Sequence, residues 1–270
     1  MKRSILHIFI LLTALLTACE KEIDMEYKSI ESKYVINSYT SSDQSSVTIT
    51  RTTDMNDPMD LTPLTATSVT ITDNQGVAHS LTQDTSGSYT SQSVIAQSAG
   101  EVFTLTVNID DESFSSLSTV EPAPEILSME FSTETIMNTK TMLLCTVTVS
   151  RDTDAMRYYK YELFLNGERL LWGSGNKETD APNPYSLSML FGSLENGVAT
   201  ANDDDETEIN SGDEITVAVT ALDARSYEYF ETLSLSSQSN SNPVYNFSGG
   251  CLGYYTAYLN NSVSMPFSLD

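Results

Sequence analysis

The chain has 270 residues, 40% of them hydrophobic and 19% charged, enough apolar material for two modest domains and too much for a disordered chain. Its 13 Lys and Arg stand against 37 Asp and Glu, and the resulting net charge of −24 excludes nucleic acid and anionic lipid surfaces as partners. Ser and Thr dominate the polar residues and alternate with Val and Ile, which predicts a mostly β protein.

In chain order, Lys2 and Arg3 precede an apolar run over 5–16 that only His7 and Thr13 interrupt. That run is too short to span a bilayer stably and reads as a secretory signal. Leu16-Thr17-Ala18-Cys19 closes it in the pattern of a lipobox, in which a signal peptidase cuts before a cysteine whose sulfur has received a diacylglyceryl group. The expectation is a signal peptide over 1–18, lipidation at Cys19 and a polar tether over 19–32. Lys21 among Glu20, Glu22 and Asp24 resembles the signal that sends Bacteroidota lipoproteins to the outer face of the outer membrane. The expected location is therefore the cell outer membrane, anchored by lipid and facing outward.

Seven short alternating segments follow, at 34–36, 47–50, 69–72, 79–81, 88–90, 103–107 and 113–117. Asp73-Asn74-Gln75-Gly76, Asp84-Thr85-Ser86-Gly87 and Asp110-Asp111-Glu112 join several of them with residues suited to tight turns. Short strands at this spacing predict an immunoglobulin-like β-sandwich over 33–121. Pro122 and Pro124 interrupt the alternation and predict a hinge over 122–124. A second β domain is expected over 125–270, with strands at 126–131, 142–149, 158–165, 185–191 and 215–221. Asn166-Gly167 predicts a hairpin turn toward Leu170-Leu171-Trp172. The one predicted helix covers 223–237, with Asp223 as its N-cap and an apolar stripe that includes Tyr227 and Phe230.

The segment from Asn242-Pro243 through Phe247-Ser248-Gly249-Gly250-Cys251-Leu252-Gly253-Tyr254-Tyr255 to Tyr258 resembles the C-terminal signature of a family of uncharacterised Bacteroidota lipoproteins. That family is a domain of unknown function whose genes often neighbour TonB-dependent receptors. The residues after Cys19, the Val47-Thr48-Ile49 strand, Asp57-Pro58, the Val69-Thr70-Ile71-Thr72-Asp73 hairpin and Tyr227-Glu228-Tyr229-Phe230 also look like their counterparts. Cys251 departs from the pattern, which has a small residue there. The resemblance implies a location and a neighbouring receptor, and no chemistry. Within the second domain the glycines are expected to bend a terminal strand whose aromatics pack on the second sheet and the Asp223 helix.

Apart from His7 in the leader, His79 is the chain's single histidine, and it lies in a hairpin strand. No Gly-x-Ser-x-Gly, His-Glu-x-x-His, phosphate loop or Cys-x-x-Cys occurs, so no enzymatic activity and no cofactor is expected. Asp203, Asp205 and Glu206 are the densest acids and are candidate calcium ligands, although their spacing is not that of an EF-hand and a solvated loop is the alternative. Trp172, flanked by Gly173 and Gly175, is a candidate partner contact. Cys145 and Cys251 either form a disulfide or are two buried thiols. The function expected is an accessory or interaction module beside a TonB-dependent uptake system. A fimbrial or adhesin subunit is the structural alternative, and a two-carboxylate glycosidase the enzymatic one.

Overall fold

The computed structural model describes residues 31–54, 57–136, 140–150, 157–177, 182–201, 207–239 and 241–269. Residues 1–30, with Cys19, and the acidic Asp203, Asp205 and Glu206 lie outside them. Strand makes up 57% of the structure, and the fold is mostly β with one helix, as expected.

Eight strands come first: β1 (Tyr34–Thr40), β2 (Ser45–Arg51), β3 (Ser68–Thr72), β4 (Ala78–Ser80), β5 (Thr82–Gln83), β6 (Tyr89–Ser91), β7 (Val102–Ile109) and β8 (Glu112–Thr119). Eight more follow: β9 (Glu125–Ile136), β10 (Lys140–Ser150), β11 (Arg157–Leu165), β12 (Glu168–Lys177), β13 (Tyr185–Glu195), β14 (Val198–Ala201), β15 (Glu208–Ile209) and β16 (Glu214–Leu222). The helix α1 (Ala224–Ser239) precedes β17 (Leu252–Ala257) and β18 (Ser262–Pro266).

The first sandwich packs the sheet β4-β3-β7-β8 on the sheet β17-β1-β2-β6-β5. Period-two patterning builds it. In β7, Phe103, Leu105, Val107 and Ile109 are buried while Thr104, Thr106 and Asn108 alternate with them on the opposite face. The predicted turns form for the predicted reasons. Asp73 Oδ1 accepts from the backbone N–H of Gln75 (2.9 Å) and Val77 (3.0 Å), Asp84 Oδ1 accepts from Ser86 N–H (2.8 Å), and Asp110 adopts a φ of 52°.

The second sandwich packs the sheet β15-β14-β13-β10-β9 on the sheet β12-β11-β16-β18 around Leu143, Val147, Leu163, Phe191, Ile215 and Val217. Asn166-Gly167, at φ 49° and 87°, makes the β11–β12 turn as predicted. The helix begins at the predicted place: Asp223 Oδ1 accepts Ser226 N–H at 2.9 Å, the N-cap bond.

The Gly/aromatic segment is where the structure departs from the sequence reading. β17 belongs to the first sandwich, not to the second: it runs parallel to β1, with Ile36 opposite Gly253 and Ser38 opposite Tyr255. Gly253 has a φ of 101°, and a Cβ there would overlap the Ile36 carbonyl oxygen, so only glycine allows this pairing. Tyr255 is wholly buried in the first core, and its hydroxyl meets Thr40 Oγ1 at 2.9 Å. The free edge of β17 is closed by the buried Asn246, whose amide takes both backbone groups of Tyr255, N–H at 2.9 Å and C=O at 2.8 Å. The chain then crosses back, and β18 completes the second sandwich beside β16. The predicted hinge over 122–124 is flanked by bonds, with Arg157 pairing with Glu121 at 3.3 Å and Asn261 donating to the Pro124 carbonyl at 2.9 Å.

Removing the Tyr255 ring therefore strikes the first sandwich. Tyr255→Ala is expected to cost about 3–5 kcal/mol, the range for emptying the site of a large buried ring, and Tyr255→Phe about 1 kcal/mol for one hydroxyl contact. Urea unfolding of the two variants beside the parent chain checks both values.

Candidate functional site

The two sandwiches meet through outer faces, and the cleft between them follows from strand periodicity. Because Tyr255 points into the first core, Tyr254 and Thr256, and Tyr258 just beyond the strand, point the other way. The facing wall is the outer side of the second sandwich, where Lys160 and Glu162 of β11 alternate with the buried Tyr159 and Leu163, and where Thr220 of β16 pairs with Lys160. One end is closed by α1. Its Tyr229 and Phe230 lie 4.7 and 4.9 Å, ring to ring, from Tyr254, joining helix, second sheet and β17 in a small third core with Leu222 and Tyr227. The space enclosed is about 410 Å³, within the roughly 300–1,000 Å³ typical of small-molecule sites.

The chemistry of the cleft is uneven. Glu162 Oε2 accepts from Lys160 Nζ at 2.9 Å and Glu162 Oε1 from Arg169 Nη1 at 3.2 Å, so its two oxygens are each taken by a cation. Lys160 also lies 5.0 Å from the Phe230 ring centroid. The Glu162 side chain is 16% exposed and that of Arg169 54%, which leaves most of the guanidinium fork open to the cleft mouth. Burial above all, then neighbouring tyrosines and the Glu162 carboxylate, raises the phenols of Tyr254 and Tyr258 above the ordinary range. Both remain neutral O–H donors. Thr256, 3% exposed, has no hydrogen-bond partner for Oγ1 among the described residues.

Asp223 fixes the closed end. Beyond capping α1, its Oδ2 accepts the Ser118 hydroxyl of β8 and, at 3.0 Å, the Ser226 hydroxyl, tying the helix start to the first sandwich. Ser118 Oγ in turn accepts Ala257 N–H at 2.8 Å. The helix, β8 and β17 thus share one buried polar knot.

Trp172, Cys145 and Cys251, singled out in the sequence, are all accounted for by packing. Trp172 is half-buried, edge-on to Phe230 at 6.1 Å, so it supports the helix from below and is not an open platform. Cys145 lies in the second core and Cys251 in the first, each as a free thiol, so the disulfide alternative is overturned in favour of two buried thiols. His79 pairs with Asp73 at 3.1 Å inside its hairpin, apart from the cleft. Cys19, Asp203, Asp205 and Glu206 lie outside the described residues, among which no group of three His, Cys, Asp or Glu could hold a metal. The sequence reading missed Lys160, Glu162 and Arg169. The signal was present in β11, where two charges at i and i+2 share a face opposite Tyr159 and Leu163.

Residues 20–248 match the family described as a domain of unknown function, DUF4249. The chain belongs to that family. No curated protein matches it. The DUF4249 match ends at Ser248, so the cleft wall carried by β17 lies beyond the matched residues, whereas the β11 and β12 charges lie within them.

Loss of the Asp223 carboxylate should be felt on both sides of the joint. Asp223→Ala is expected to lose about 0.5–2 kcal/mol for the cap, and a further 1–3 kcal/mol for the Ser118 hydroxyl left without its acceptor, read as a fall in melting temperature by calorimetry. A second expectation concerns the thiols, which burial pushes up to about 12 in both Cys145 and Cys251. Iodoacetamide at pH 8 should label neither in the native protein and both after unfolding, as counted by intact mass.

Proposed function

We propose that this chain is a lipid-anchored, outward-facing lipoprotein of the outer membrane that acts as a non-catalytic binding module beside a TonB-dependent uptake system. The observation that carries the binding role is the cleft between the sandwiches, walled by tyrosines and by a Lys–Glu–Arg group. Burial raises the phenols of Tyr254 and Tyr258 above the ordinary range, which suits holding a ligand better than moving a proton during a reaction. The anchor rests on the lipobox at Leu16-Thr17-Ala18-Cys19. The outward orientation rests on Lys21 among acids. The link to a receptor rests on the resemblance of the sequence to lipoproteins encoded beside such receptors, and the net charge of −24 suits a soluble, outward surface.

The test has two readouts. Cys19→Ser should abolish labelling by a palmitate analogue, and the tagged wild-type chain drawn from native membranes should bring down a β-barrel receptor. Persistent labelling overturns the anchor; a ladder of self-polymers in place of a barrel points to the fimbrial alternative.

A further inference from the structure

We infer that the cleft binds a carboxylate-bearing small molecule, its acid group held at Arg169 and Lys160 and its ring laid against the tyrosines. The inference rests on the binding role proposed above and names the class of ligand. The cleft is rich in donors. Each oxygen of Glu162, the cleft's charged acceptor, is engaged by a cation, while Lys160 and Arg169 carry further N–H groups beyond those two bonds. The Tyr39 hydroxyl accepts from Gln44 Nε2 at 2.7 Å and so has its own proton to give, as do Tyr254 and Tyr258. Thr256 Oγ1 is the most telling of these groups. It is buried, on the cleft face of β17, and without a partner among the described residues, a state that costs stability unless something else supplies the bond.

A pocket of spare donors is completed by oxygen acceptors, and Lys160 and Arg169, which share the single carboxylate of Glu162, are the cations an acidic group meets. The protein as a whole is strongly negative. At physiological ionic strength, however, charges beyond about 8 Å are largely screened, so the groups in the cleft decide what it holds and the distant acids affect mainly the rate of approach. Asp43, the carboxylate nearest the Asn260 side of the cleft, is itself bonded to Asn260 Nδ2. The arginine fork is the natural partner of a carboxylate, and the aromatic faces suit a flat ring or the C–H face of a sugar.

A sugar acid and an aromatic acid share this chemistry, and the experiment separates them. The chain has one tryptophan, Trp172, packed on the Phe230 ring that lines the cleft, so its fluorescence reports occupancy. The full chain, purified in detergent, is titrated with glucuronate and with 4-hydroxybenzoate, and with glucose and phenol as their uncharged counterparts. At least one acid is expected to saturate the signal and to bind at least tenfold more tightly than its counterpart; which acid does so assigns the source. Arg169→Gln, at a side chain exposed enough to spare the fold, should remove that preference by about tenfold, one charge-assisted bond. Thr256→Val should weaken the acid severalfold and leave the melting temperature unchanged or raised.

Absence of binding by both acids, equal binding by the uncharged counterparts, or a Thr256→Val variant that melts lower with affinity intact overturns the inference. Those failures are distinct from failure of the functional reading, because receptor capture and palmitate labelling are measured without either acid.

Discussion

Backbone meets backbone at Gly253 and Ile36, and the arrangement of both sandwiches depends on that contact. The parallel pairing of β17 with β1 spans more than two hundred residues of chain, a closure whose entropic cost must be met by what the strand brings with it. It brings the Tyr255 ring into the first core, a full ladder with β1, and a protected outer edge through Asn246. A side chain at Gly253 would push the strand off Ile36 and take those gains with it. The same segment then continues through Asn261, bonded to Pro124, into β18 of the second sandwich. The end of the chain is therefore a lace across the joint, not a cap on one domain.

The joint is held in three places that differ chemically. The linker carries an ion pair at Glu121 and Arg157, the helix start carries the Asp223 knot, and the third core stacks Tyr158 on Tyr227 at 4.6 Å while Tyr254 reaches in from β17. Domains joined by one linker move relative to each other by default, whereas an apolar contact reinforced by buried polar bonds resists it. A cleft between two such bodies is already formed before a ligand arrives. Little ordering is then charged against binding, which is the condition under which a few well-placed donors give useful affinity.

Much of the fold was legible because its causes are local. Alternation marked the strands, Asp and Gly marked the hairpins, and Asp223 as N-cap marked the helix start. Asn196-Gly197, at φ 52° and 83°, carries the same signal as Asn166-Gly167 and turns β13 into β14, although the sequence reading used only the first. What was not legible depends on long-range pairing. Period two says that Tyr255 and Tyr254 face opposite ways, but nothing near them in sequence says which sheet receives the strand. The glycines beside Trp172 misled for a related reason. They suggested an exposed partner contact, whereas Gly173 lies under the Tyr161 ring in a paired strand and leaves room for it. The two prolines were read as a hinge because their stiffness is local, while the bonds that fix the joint come from Arg157 and Asn261, far along the chain.

Register connects the stability of the first sandwich to the chemistry of the cleft. A one-residue slip of β17 would exchange its faces, placing Tyr254 and Thr256 toward the core and Tyr255 toward Lys160. Gly253 forbids that slip, because its φ of 101° and its place over Ile36 suit no other residue of the strand. The contact that lets the strand join β1 therefore also determines that two raised phenols and one unpartnered hydroxyl face the cations of β11 and β12. Thr256 sits there at some cost to the fold: valine in its place would keep the shape and remove a buried hydroxyl that lacks a bond among the described residues. Such a cost, at a position so firmly held, is what the proposed binding role accounts for, with the remaining bond supplied from outside the chain.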